Sequence, residues 1–103
     1  MDITIKIIPN ESGQPIGKLA DAELLFTAGP LAGLKLIGFN IWQSGSRPRT
    51  VTFPARQYSV NGERRSFMLL RPVADYDATE TIRHSILQAY SVYEASGLET
   101  TNA

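Results

Sequence analysis

The sequence predicts an α+β fold: an antiparallel sheet of about five strands covered on one face by a single C-terminal helix. Three observations carry that expectation. Ile3, Ile5 and Ile7 alternate with Thr4 and Lys6, the period of two that turns one face of a strand to a core. Asn61-Gly62 stands between two strand-like runs and suits a two-residue type I′ hairpin turn, in which both central residues take positive φ. Ile82, Ile86, Ala89, Tyr90 and Tyr93 recur at helical spacing and form one apolar stripe. Several short strands with short links, closed by one amphipathic helix, pack most simply as helix on sheet.

The elements follow in order. Pro9 ends the first strand, and residues 10–17 are rich in turn formers. A second strand is expected over 18–27, with Ala20, Ala22, Leu24 and Phe26 on one face and Asp21 and Glu23 on the other. Gly29-Pro30-Leu31-Ala32-Gly33 makes a compact connection. The third strand, over 34–43, is apolar on both sides, with Leu34, Leu36 and Trp42 on one and Ile37, Phe39 and Ile41 on the other; such a strand is central or covered on both faces. After the loop Ser44-Gly45-Ser46-Arg47-Pro48, a fourth strand covers 49–53, and Pro54 places it at an edge or a bulge. The fifth strand runs over 64–70, closed by Pro72. Asp77 with Glu80 fits a capping box at the start of the helix, and Gly97 is the expected stop.

With 103 residues the chain makes one domain, expected over 1–97, with a frayed tail over 98–103. Its hydrophobic fraction of 43% and charged fraction of 19% are those of an ordinary globular protein, which argues against disorder. A core of this size is modest and the sheet has an exposed edge, so a homodimer is expected. The absence of cysteine excludes disulfides, thiolate catalysis and cysteine-based zinc sites. No apolar run approaches the length of a membrane span and the start lacks signal-peptide character, so the expected location is cytoplasmic, with no membrane partner.

Enzymatic chemistry finds little support. His84 is the sole histidine, lies off the apolar stripe and has no nucleophile or second ligand to work with. Asp75 and Asp77 are accounted for as helix-capping residues, and no metal-ligand spacing is present. Gly29 to Gly33 lacks the Lys-Ser/Thr of a phosphate loop. The expectation is a protein that is not an enzyme, with no cofactor, no metal and no small-molecule substrate.

The charge distribution is more informative. Net charge is zero, yet Lys35, Arg47, Arg49, Arg56, Arg64, Arg65 and Arg71 cluster in the middle of the chain, where Glu63 is the only acid. If Asn61-Gly62 is a two-residue turn, Tyr58 faces Arg65 and Arg56 faces Phe67, so Arg56, Tyr58 and Arg65 share one face of the hairpin. Arg64 lies on the other with Gln57 and Ser59. Two guanidiniums around a phenol ring suit a nucleic-acid backbone with a base or sugar stacked nearby. Composition alone favours the plainer alternative, a solvated hairpin whose arginines pair with Glu63 or stack on Tyr58. Arg47 and Arg49 form a second basic group in a loop, where solubility is the plainer explanation. Trp42 is expected in the core, with nucleobase stacking as the lesser alternative.

Gly38-Phe39-Asn40-Ile41, followed by Val51-Thr52-Phe53-Pro54-Ala55-Arg56 and by Asn61-Gly62-Glu63-Arg64-Arg65-Ser66-Phe67, resembles the middle of the stage V sporulation protein G family. The run from Ile82 to Glu94, with Ala89-Tyr90-Ser91-Val92-Tyr93-Glu94, resembles that family's closing helix. The likeness covers about residues 18–94. It implies a small bacterial α+β domain that dimerises through its sheet and binds DNA site-selectively, with RNA binding also described in the family. The processes implied are regulation of sporulation, septation in cell division, capsule or virulence genes. Carried over by position, Arg56 and Arg65 are the binding residues. Three features depart from the family pattern: Gln57 replaces a second basic residue after Arg56, the early strand carries Asp21 and Glu23, and the N-terminal strand Ile3 to Ile8 is more apolar.

The expectation is therefore a nucleic-acid-binding regulator acting through Arg56, Tyr58, Arg64 and Arg65, supported by Arg47 and Arg49, with DNA or RNA as partner. The alternative is a non-enzymatic protein-interaction module that docks a partner at the strand edge over 3–8 or beside Leu87.

Overall fold

A computed structural model describes the backbone of residues 2–101 and the side chains of residues 2–96. The backbone stays helical through Thr101, so the helix runs past the stop expected at Gly97 and into the tail expected over 98–103, of which residues 102–103 lie outside the described residues. Six strands and one helix follow one another: β1 (Ile3–Pro9), β2 (Lys18–Phe26), β3 (Lys35–Trp42), β4 (Thr50–Thr52), β5 (Ala55–Val60), β6 (Glu63–Met68) and α1 (Ala78–Thr101). The fold is α+β, and its strands fall into two sheets. Strands β1 to β4 form an antiparallel meander in chain order, while β5 and β6 pair only with each other.

The core lies between the meander and the helix. Ala20, Ala22 and Leu24 of β2, Phe39 and Ile41 of β3, and Val51 of β4 meet Ile86 and Tyr90 of α1, all buried. Ile3, Ile5 and Ile7 pack against this cluster from the edge strand β1, as their alternation predicts. Alanine at both central β2 positions leaves room for the fully buried Ile86 side chain. The helix opens at Asp77, whose carbonyl accepts from the Thr81 N–H at 3.1 Å. The expected pairing of Asp77 with Glu80 is replaced: Asp75 Oδ1 accepts from the Asp77 N–H at 2.9 Å, and Glu80 pairs with Arg83.

β3 departs from its expected geometry. It is central in the meander but covered on one face only. Its register against β2 shifts between the pairs Ala22↔Phe39 and Leu24↔Leu36, a bulge that accommodates the extra residue around Ile37 and Gly38. Gly38 takes φ of +107°, which an L side chain resists. The bulge turns Leu36 to the core side with Phe39 and Ile41 and leaves Ile37 57% exposed. Period-two alternation cannot see this, because one inserted residue exchanges the faces of everything beyond it.

The same place roots the second sheet. β4 ends after three residues, and Phe53 and Pro54, both buried, turn the chain away. Phe53 packs edge-on against Phe39 with ring centroids 5.1 Å apart. The Pro54 carbonyl accepts from the Leu69 N–H at 2.9 Å, closing the base of the β5–β6 ribbon. Beyond this root every residue of β5 and β6 is exposed. The radius of gyration is 15.5 Å, against about 13 Å for a compact chain of this length. The two-stranded ribbon is an arm standing off the body.

Candidate nucleic-acid interface

The arm is set by its turn. Asn61 and Gly62 take φ of 52° and 80°, the positive values a type I′ turn requires, and they fix the register. Val60 pairs with Glu63, Ser59 with Arg64, Tyr58 with Arg65, Gln57 with Ser66 and Arg56 with Phe67. Residues opposite one another in an antiparallel pair share a face. One face therefore carries Arg56, Tyr58, Arg65 and Phe67, and the other carries Gln57, Ser59, Arg64 and Ser66, as the turn predicts.

On the first face the Tyr58 ring meets Phe67 edge-on, with centroids 5.6 Å apart, and both rings are 40% exposed. Each aromatic holds the other in place while leaving surface for a third flat group. Arg65 reaches Glu63 at 3.3 Å, an exposed pair worth little in water. Among the described residues, Arg56 and Arg64 make no ion pair. The acids of β2 do not compete for them: Asp21 is taken by Lys18 at 2.8 Å and Glu23 by Lys35 at 3.2 Å.

Arg47 and Arg49 do not join this cluster. They sit in the loop before β4, at the end of the β3–β4 pairing remote from the arm's root. Arg47 is exposed, with its backbone held by Ser44 and by the Gln43 amide. Arg49 is half-buried and committed to the helix: its guanidinium pairs with Glu94 at 2.7 Å and lies 4.8 Å from the centre of the Tyr90 ring. The hydrogen bond and charge of Glu94 raise the already high pKa of Arg49, against the opposing effect of partial burial. Sequence spacing could not expose this contact, because Arg49 and Glu94 are 45 positions apart.

Trp42 is half-buried on the sheet face away from the helix. Its indole N–H donates to Thr52 Oγ1 at 2.9 Å, and Lys18 and Thr50 flank it across the strands. It is not among the core residues. His84 is exposed on the outer side of α1. Leu87 packs against the core and offers little to a partner, whereas β1 is an edge strand of the meander. A cleft of 180 Å³ opens between the start of α1 and the sheet; its wall is apolar except for Arg71 and Thr79. No described helix is long and apolar enough to cross a membrane. The chain matches no family model, no curated protein and no solved structure.

Proposed function

We propose that the protein is a small nucleic-acid-binding regulator whose β5–β6 arm contacts the sugar-phosphate backbone. The observation that carries this reading is the composition of the arm: an exposed ribbon bearing Arg56, Tyr58 and Arg65 on one face and Arg64 on the other, with Arg56 and Arg64 free of acidic partners among the described residues. A ribbon of six residues per strand reaches about 20 Å from its root, enough to follow several phosphates. Cationic side chains supply the salt-dependent attraction, and Tyr58 with Phe67 supplies a surface for stacking. The likeness to the stage V sporulation protein G family, whose binding residues fall at Arg56 and Arg65, points the same way. On this reading Arg49 is a structural residue.

Two copies joined as a homodimer would present two arms and multiply the phosphate contacts. That oligomeric state belongs to the proposal and is checked by light scattering. The decisive experiment measures binding of labelled oligonucleotides against salt, for the protein and for its Arg56→Ala/Arg65→Ala variant. Two lost phosphate contacts should weaken binding and flatten the slope of log K against log salt by about 1.4–1.8. Equal affinity and equal slope in the variant would remove the arm from the interface. No binding at low salt would reject the reading and favour a protein partner docked on the open edge of β1.

A further inference from the structure

A groove of 520 Å³ lies between the β1–β2 and β3–β4 loops, away from the arm's root. The Gln43 N–H donates to the Gly17 carbonyl at 2.9 Å and holds the two loops together. Trp42, Ile16 and Pro48 supply apolar surface, while Arg47, Thr50 and Ser44 supply polar groups. The site is braced from within. Because the Trp42 indole N–H is already bonded to Thr52, the ring is pinned and its polar edge satisfied, leaving flat carbon surface for a ligand. Ile16 stands 85% exposed beside it, with little cover from the rest of the chain.

Arg47 is the one ionisable group in the wall of this groove and makes no ion pair among the described residues. Its backbone is fixed by a bond from its N–H to the Ser44 carbonyl at 3.1 Å and one from Gln43 Nε2 to its own carbonyl at 3.0 Å. Lys18, opposite Trp42 on β2, is neutralised by Asp21. The groove thus selects a ligand with a flat apolar face and a single negative group, and its volume falls within the roughly 300–1,000 Å³ of small-ligand sites.

We infer that this groove holds one unpaired nucleotide of single-stranded nucleic acid, its base stacked on Trp42 between Ile16 and Pro48 and its phosphate at Arg47. A base inside a duplex has both faces covered by its neighbours and cannot reach the indole; a single strand offers its bases freely. The inference rests on the nucleic-acid reading of the arm and narrows its ligand class to single strands, of DNA or of RNA.

Trp42 is the chain's only tryptophan, so its emission reports this groove alone. The test follows Trp42 fluorescence and the anisotropy of labelled 12-nucleotide single-stranded DNA, single-stranded RNA of the same sequence, and the blunt DNA duplex. The expected result is binding of at least one single strand with quenching of Trp42, and weaker binding of the duplex without quenching; the strand that quenches identifies the source. Arg47→Ala, an exposed loop change that leaves the fold intact, and Trp42→Leu should each weaken single-strand binding, the latter by roughly tenfold. Duplex binding should not change in either variant. Single-strand binding by anisotropy with unchanged Trp42 emission and no effect of Arg47→Ala would overturn the groove assignment alone. Absence of binding by all three probes would overturn the arm reading and this inference together.

Discussion

Replacing Gly38 by alanine tests the bulge on which both the core and the arm depend. Gly38 holds φ of +107°, and a Cβ built there would lie 2.9 Å from Pro54 Cβ and 3.4 Å from Pro54 Cα. Two costs add. An L residue held in that backbone region is strained by about 1–2 kcal/mol. Pressing a methyl against a buried, rigid proline ring adds overpacking of about 1–3 kcal/mol, because neither backbone nor ring can swing aside. The sum is about 2–5 kcal/mol, a large part of the roughly 5–15 kcal/mol that stabilises a typical domain. At about 4–8 °C per kcal/mol for a domain of this size, the melting temperature should fall by roughly 10–40 °C.

Urea unfolding followed by circular dichroism measures the loss. Gly29→Ala serves as the control: Gly29 also takes positive φ, at +80°, but an added Cβ there meets nothing within 4 Å. Gly38→Ala should therefore cost more than Gly29→Ala by the overpacking contribution of about 1–3 kcal/mol. If the two variants are equally stable, the contact with Pro54 is not a constraint. If Gly38→Ala matches the parent protein, the reasoning about the bulge fails altogether.

Three further outcomes are expected. Ile86→Ala empties a fully buried position under the sheet and should destabilise by about 2–5 kcal/mol in the same urea assay. Arg49→Ala removes the tie between the loop before β4 and the helix; the pair is partly exposed, so the loss should be about 1 kcal/mol, with oligonucleotide affinity nearly unchanged. The Tyr90 hydroxyl has a raised pKa, chiefly through burial and then through the charge of Glu94, with Arg49 opposing. A raised folded-state value means that stability is complete below the ordinary tyrosine pKa of about 10 and is lost as pH rises through the higher one. Urea midpoints should accordingly hold up to about pH 10 and drop as pH rises further, and Tyr90→Phe should lessen the drop.

Interactions a few residues apart in the chain were legible in the sequence. The alternation of Ile3, Ile5 and Ile7 marks a strand face turned to the core, and the stripe Ile82, Ile86, Ala89, Tyr90 and Tyr93 marks a helix that reaches the core through Ile82, Ile86 and Tyr90, with Tyr93 left exposed. Asn61-Gly62 fixes a turn, and the turn fixes the register, so the faces of Arg56, Tyr58, Arg64 and Arg65 follow from counting outward. Contacts between distant residues were decided by tertiary structure. The bulge at Gly38 moves Leu36 to the core side and exposes Ile37, because the close approach of Pro54, sixteen positions on, excludes a side chain there. The same turn at Phe53 and Pro54 separates β5 and β6 from the meander, so the expected single sheet becomes a sheet and an arm. Arg49 is claimed by Glu94 and Tyr90, and Trp42 by Thr52, pairings that no local pattern announces. Local rules depend on dihedral preference and on the periods of helix and strand, which a short stretch of chain carries by itself; the fate of a charge or an indole depends on which side chain packing brings beside it.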